Sequence, residues 1–233
     1  MEFHPIAHIE TDFGEKFGIP RQSGLVSGLR GKVVFEPQYR NPDALRGIEG
    51  YSHLWLVWLF SQTVRELWLP MVRPPRLGGN TPMGVFATRS PFRPNPIGLS
   101  SVRLLGIEDD EKNGKVLWVE GADLMTGTPI LDIKPYLAYT DSHPDAVGGF
   151  SDAVREYRLA VEFPEALAEK VPMALRAPLL EILAQDPRPS YQEDPERPYG
   201  FSFAGLDIRF RVKENTLTVF EIVPHDETMT PVR

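Results

Sequence analysis

Residues 53–60 read HLWLVWLF. Seven consecutive apolar side chains are too few for an ordinary helix and show no helical period. The run therefore predicts a strand, and its lack of polar interruption predicts burial on both faces, with Trp55 and Trp58 in a core rather than serving as a ligand platform. Similar short runs rich in Val, Ile, Leu and aromatic residues recur at 32–36, 84–88, 100–106, 116–119 and 130–133. Each is bounded by Gly, Pro or Asn, the residues that turn a chain. Asn113-Gly114, between two such runs, predicts a hairpin because both residues tolerate positive φ. The first 140 residues thus read as the strands of a sandwich or barrel.

The period changes near residue 155. A strand is expected over 156–163, then helical spacing of Leu167, Val171, Leu175, Leu179 and Leu183 through residue 186. Pro172 and Pro178 interrupt that pattern, which predicts two short helices or a kinked one. Alternating Phe201, Phe203, Ile208, Phe210 and Val212, then Leu217 and Val219 beyond a turn at 213–215, predict a terminal hairpin. The chain therefore reads as mainly β, with a larger β unit over 1–150 and a smaller α+β unit over 151–233.

A chain of 233 residues with 42% hydrophobic and 24% charged residues can bury a core without staples. Having no cysteine excludes disulfides, thiolate metal sites and a cysteine nucleophile. The first residues carry neither a basic segment nor an apolar run, and the longest apolar stretch is far short of the roughly 20 residues that span a bilayer. A cytoplasmic protein without membrane contact is expected. The net charge of −7 argues against indiscriminate binding to DNA or RNA.

That charge is unevenly spread. Residues 61–103 hold six arginines against Glu66 alone, while 150–233 hold 15 acidic and 10 basic groups. Residues 73–98, RPPRLGGNTPMGVFATRSPFRPNPIG, concentrate Arg73, Arg76, Arg89 and Arg93 among prolines and glycines. Proline and glycine forbid a helix interior, and the apolar residues between them distinguish the segment from a disordered linker. An arginine-bearing rigid loop on an acidic body suggests a place that receives phosphate or another anion. Arginines merely solvating a loop are the plainer alternative.

Common catalytic templates are missing: no G-x-G-x-x-G, no P-loop and no G-x-S-x-G. No metal site is expected. Polar loops remain, each with a structural alternative. Residues 16–22, KFGIPRQ, combine a rigid proline, cations and an amide, and Gln62 follows the apolar strand. Residues 122–129, ADLMTGTP, form a tight turn whose free N–H groups could hold a ligand. Asp132, Lys134 and Tyr136 place acid, cation and phenol within five residues, the first two on one strand face. Read alone, these describe a polar pocket in a β-rich protein.

The phrases KFGIPRQSGLV, GIEGYSHLWLVWLF, RPPRLGGN, MGVFATRSPFRPNPIGLS, GTPILDIKPY and LAQDPRPSY together resemble the TsaA-like family, the TrmO-type tRNA methyltransferases that use S-adenosylmethionine. The likeness runs from about residue 5 to about 223. It implies a β-barrel methyltransferase with a small α+β domain, a homodimer with cofactor sites near its interface, and methylation at N6 of N6-threonylcarbamoyladenosine beside the anticodon. Motif by motif, it implies S-adenosylmethionine contacts at Pro20, Arg21, Gln22, Ser61, Gln62, Arg89, Leu99, Thr126, Gly127, Thr128 and Pro129. Ser61 and Thr126 depart from the family pattern, which has a histidine and an aspartate there.

With that resemblance, the N6 proton calls for a base. Asp132 is the first candidate and Tyr136 the second, with Lys134 or Arg93 stabilising the anion or the threonyl carboxylate. Arg73, Arg76, Arg93 and Arg103 are expected to meet the phosphates of the tRNA anticodon stem-loop. Two rivals remain: a non-catalytic module that senses S-adenosylmethionine or RNA, and a methyltransferase of the same fold acting on a small molecule.

Overall fold

A computed structural model describes residues 2–63, 68–74, 81–188 and 194–226. Strands β1 (Ala7–Thr11), β2 (Arg30–Phe35), β3 (His53–Leu59), β4 (Met71–Val72), β5 (Met83–Gly84), β6 (Ile97–Asp110), β7 (Gly114–Glu120) and β8 (Thr128–Pro135) fill the first part of the chain. Six of them close into a barrel in the order β1-β2-β7-β6-β3-β8, and every ladder, including β8 back to β1, is antiparallel. β4 and β5 pair only with each other.

Strand period 2 decides which side chains fill the barrel. In β3, Leu54, Leu56 and Trp58 point inward and are buried, whereas Trp55, Val57 and Leu59 are only half-buried on the outside. The expectation of burial on both faces is therefore corrected. A closed antiparallel sheet has one inner face, and the outer one at β3 is only partly covered, Trp55 packing against Tyr136. Trp58 is a core residue; Trp55 faces out and donates its indole N–H to Asp141 Oδ2 at 2.8 Å. In β8 a bulge intervenes, since Ile130 faces Trp58 while Asp132 faces Val57. The extra residue, Leu131, switches the pattern, so Ile130 and Ile133 pack on the core while Asp132 and Lys134 turn outward.

The expected strand at 84–88 is a 3₁₀ turn, Val85–Ala87. Only Val85 inserts into the interior, and the Arg93 guanidinium donates to the carbonyls of Val85, Thr88 and Ser90, closing the loop on itself. Backbone oxygens engaged in that way have no ladder to join. β1 gives little sequence signal, as only Ala7 and Ile9 of its five residues are buried. The Asn113-Gly114 hairpin is present, with φ of 70° at Gly114 and Asp110 Oδ1 accepting from the N–H groups of Lys112 and Asn113.

Beyond a short helix α1 (Ala138–Asp141), the second unit has strands β9 (Ala160–Glu162), β10 (Tyr199–Phe203), β11 (Leu206–Lys213) and β12 (Thr216–Pro224), in the order β10-β11-β12-β9. β9 is shorter than the expected 156–163 and lies parallel to β12. Helices α2 (Glu165–Ala168) and α3 (Met173–Ala184) match the expected pair, with Pro172 capping α3 and Pro178 inside it. Tyr199, Phe201, Phe203, Phe210, Leu179 and Leu183 fill this second core, yet Phe13, Val26 and Leu29 belong to it as well. The 12–29 loop thus leaves the barrel and buries its apolar residues in the other unit. Gly18 makes this possible: its φ is +88°, and a Cβ there would run into the Phe201 ring.

Candidate active site at one end of the barrel

Antiparallel closure puts the ends of β1, β3 and β7 and the starts of β2, β6 and β8 at one end of the barrel. The loops 12–29, 60–96 and 121–127 emerge there together. Pro20, Arg21, Gln22, Ser61, Gln62, Arg89 and Thr126–Pro129 all sit on these loops or at their roots, and Leu99 lies two residues inside β6. Contacts tie the loops to one another: Gly24 N–H donates to Gly121 O, Thr126 N–H to Phe13 O, and Lys16 Nζ to Gln62 O at 2.9 Å.

Between this end and the second unit lies a cleft of about 1510 Å³. Lys16, Arg21, Arg73, Arg89, Arg93 and Arg188 line it, and among the described residues no Asp or Glu does. On a chain of net charge −7, six cations gathered on one cleft, of which Arg188 is paired with Asp186, make an anion-receiving surface. Arg89 donates to Gln22 Oε1, and Gln22 Nε2 to Arg21 O at 2.5 Å, which fixes the amide across the cleft wall. Arg21 donates in turn to Asp186 O at 3.2 Å. Asp186 is held by Arg188 at 2.8 Å and by the Tyr157 hydroxyl at 3.1 Å, so the second unit anchors this wall.

The turn at 126–129 differs from its sequence reading. Thr126 N–H donates to Phe13 O, Gly127 N–H to Ile9 O and Thr128 N–H to Met125 O; Pro129 has none. The expected free N–H groups are consumed by seating the turn on β1, and Thr128 is buried. Thr126 and Gly127 are exposed, so the polar side chain that this turn presents is the Thr126 hydroxyl, which accepts from Thr11 N–H at 3.3 Å. Ser61 and Gln62 are exposed.

The arginines divide by environment. Arg73 and Arg89 are exposed in the cleft. Arg93 is half-buried and stitches its own loop. Arg103 faces Glu120 at 3.2 Å on the barrel side. Arg76 lies outside the described residues.

Asp132 and Lys134 form an ion pair at 2.8 Å on the outer face of β8. Asp132 stands opposite Val57, and Val57 opposite Leu99, so the three are neighbours across β8, β3 and β6. Tyr136 donates its backbone N–H to His53 O at the far end of β3, roughly 20 Å along the strand from Leu59, where the chain leaves toward Gln62.

A second carboxylate, passed over in the sequence, is closer to the loops. Trp58 Nε1 donates to the Ser100 hydroxyl at 2.9 Å, and Ser100 Oγ donates to Asp123 Oδ1 at 2.5 Å. Burial pushes the Asp123 carboxyl above the ordinary aspartate value, opposed by the Ser100 hydrogen bond and by nearby Arg89. A charged residue inside the apolar context GADLM was the available signal. Asp186 and Arg188, within LAQDPRP, were likewise quoted but given no role.

Fold and cleft together define a β-barrel protein whose one end collects polar loops around an anion-receiving mouth. Comparison with known proteins then fixes the family. The tRNA-methyltransferase O N-terminal domain matches residues 8–142, and the TrmO C-terminal domain matches 156–225. The chain belongs to the TrmO family. It is 42% identical over 232 residues to a tRNA (adenine(37)-N6)-methyltransferase of Escherichia coli, covering 96% of this chain and 98% of that one. A second tRNA (adenine(37)-N6)-methyltransferase, from Eikenella corrodens, is 47% identical over 70% of this chain and 92% of its own. A crystal structure of TrmO from P. aeruginosa superposes with a TM-score of 0.76 at 38% identity, covering 97% of both chains.

Proposed function

We propose that this protein is an S-adenosylmethionine-dependent tRNA methyltransferase that acts as a cytoplasmic homodimer. Its substrate is the N6 of N6-threonylcarbamoyladenosine beside the anticodon. The observation that carries this reading is the cationic cleft, free of acid among the described residues, meeting the Gln22, Gln62 and Arg89 loops. The barrel unit, 1–150, carries the donor site, and the unit over 151–233 closes the cleft.

The residues present suit the donor. Arg89 and Arg21 offer guanidinium groups to a carboxylate, Gln22 and Gln62 offer amides, and exposed Leu99 offers an apolar surface to a purine. Bound S-adenosylmethionine supplies an electrophilic methyl group. The chain's own tasks are positioning and the exclusion of water. A threonylcarbamoyl group adds a carboxylate to the adenine, which the cleft cations suit. The N6 lone pair is delocalised into the ring and the carbamoyl, so its proton must leave as the methyl arrives. Asp132 is proposed to take that proton, with Lys134 beside it steadying the charge and Tyr136 serving the site from a different position on the face.

Dimerisation rests on the outer surface of β3 and β6. Trp55, Val57 and Leu59 are half-buried there, and Ile97 and Leu99 are exposed. A second copy laid on that face would cover the unsheltered apolar residues and enclose the Asp132–Leu99 neighbourhood. The test is nucleoside mass spectrometry on tRNA from cells lacking the gene. Loss of the methylated nucleoside with its unmethylated precursor retained supports the activity; unchanged methylation refutes it.

A further inference from the structure

One apolar feature at the cleft mouth has no role in the donor site. Trp68 is 46% exposed and Phe86 71%, and Leu69 and Met71 beside them are also exposed. Their rings stand 6.0 Å apart, inclined by 34°. Both line the cationic cleft. Scattered exposed apolar residues are ordinary, but a contiguous group at the rim of a charged groove points to a partner.

The local structure presents these rings rigidly. Phe86 sits in the 3₁₀ turn whose neighbour Val85 is buried and whose carbonyls bind Arg93, so anchoring Val85 directs Phe86 outward. The Arg93 guanidinium carbon lies 5.9 Å from the Phe86 ring centre. Trp68 immediately precedes the β4–β5 ribbon that leads into the same turn, and Pro70 O accepts from Val85 N–H. Two short elements therefore hold one aromatic lip.

We propose that the Trp68–Phe86 lip is a stacking platform for an unpaired nucleobase of the RNA loop, a neighbour of the base that is methylated. This rests on the reading of the cleft as the tRNA site. Cations that track a phosphate chain, flanked by open aromatic faces, are the means by which proteins hold single-stranded nucleic acid. A peptide or lipid would use the apolar lip but leave the cationic lining of the cleft unexplained. A single-stranded polyanion uses both.

The test compares wild-type protein with Trp68→Leu, Trp68→Phe and Phe86→Ala for binding an RNA hairpin that carries an anticodon loop. Intact hairpins and hairpins made abasic at each loop position in turn are used. Trp68→Leu and Phe86→Ala should each weaken binding about tenfold, Trp68→Phe should retain most of it, and the salt dependence should not change. At one abasic position, Trp68→Leu should cause no further loss. S-adenosylmethionine binding and thermal melting should match wild type. Wild-type affinity in both ring-deleting variants overturns the platform while leaving the cleft reading intact. A variant that sediments as monomer where wild type is a dimer also overturns it, since the lip would then be an interface between copies. Failure of wild type to bind any hairpin removes the cleft reading and the platform together.

Discussion

Asp132, the proposed base, and Asp123, bonded to Ser100, are two carboxylates that differ in surroundings. Asp132 is ion-paired on the surface, adjacent to Leu99 through Val57. Asn keeps its shape but cannot accept a proton. Asp132→Asn should lower turnover at least about tenfold, as removal of a positioned base does, while calorimetry finds S-adenosylmethionine affinity unchanged. Wild-type turnover would remove Asp132 from the mechanism. Asp123 is half-buried near Arg89, and its folded-state pKa is raised, chiefly by burial. As pH climbs from the ordinary aspartate value through that raised value, the unfolded chain loses this proton first and the folded form loses stability. At neutral pH the charge is therefore a cost. Asp123→Asn, which can still accept from Ser100, should melt higher than wild type at pH 7 and equally below the aspartate range. A lower melting temperature at pH 7 would mean that the Ser100 and Arg89 contacts outweigh burial.

At the scale of the element, the 12–29 loop links both cores and carries Pro20, Arg21 and Gln22. Gly18→Ala combines a left-handed backbone with a clash against Phe201. Such overpacking typically costs about 1–3 kcal/mol, and here it should also weaken S-adenosylmethionine binding, because Gln22 would leave Arg89. Denaturant unfolding and calorimetry on the same variant test the pair of effects; a stability loss with unaltered donor affinity would show that the loop repacks without moving its tip.

These elements also mark how far the sequence is legible. Short apolar runs bounded by turn residues disclose β3, β6, β7 and β8, each of which contributes buried side chains to one core. β1 escapes, having only two buried residues. The strand expected at 84–88 fails because a guanidinium from Arg93, several residues on, takes its carbonyls. The outward face of HLWLVWLF looks interior because an apolar run does not disclose that its sheet closes with a single inner face. The cofactor loops are legible only through family resemblance. Their convergence follows from barrel closure, a long-range fact that no window of sequence contains, and the Trp58–Ser100–Asp123 chain joins three separate segments.

For the whole molecule, the outer face of β3 and β6 and the cleft make separable demands. Ile97→Asp puts a charge on the face proposed to meet a second copy. It should shift sedimentation to monomer, lower activity more at low protein concentration than at high, and leave the barrel folded. An unchanged dimer would place the interface elsewhere. The cleft concentrates cations on an acidic protein, so tRNA affinity should fall steeply with salt, each phosphate contact contributing a slope of roughly 0.7–0.9 in log–log terms. Arg73→Ala should lessen that slope by about one contact, whereas a slope unaffected by salt or by Arg73 would exclude the cleft as the phosphate track.

The claim on which all of this depends is methyl transfer at the barrel end to a threonylcarbamoyl-bearing tRNA. Purified protein, labelled S-adenosylmethionine and tRNA with or without the threonylcarbamoyl group provide the direct measurement. Label should enter the nucleoside beside the anticodon only when that group is present. Donor binding without label transfer to either tRNA, or equal transfer to both, would contradict the account.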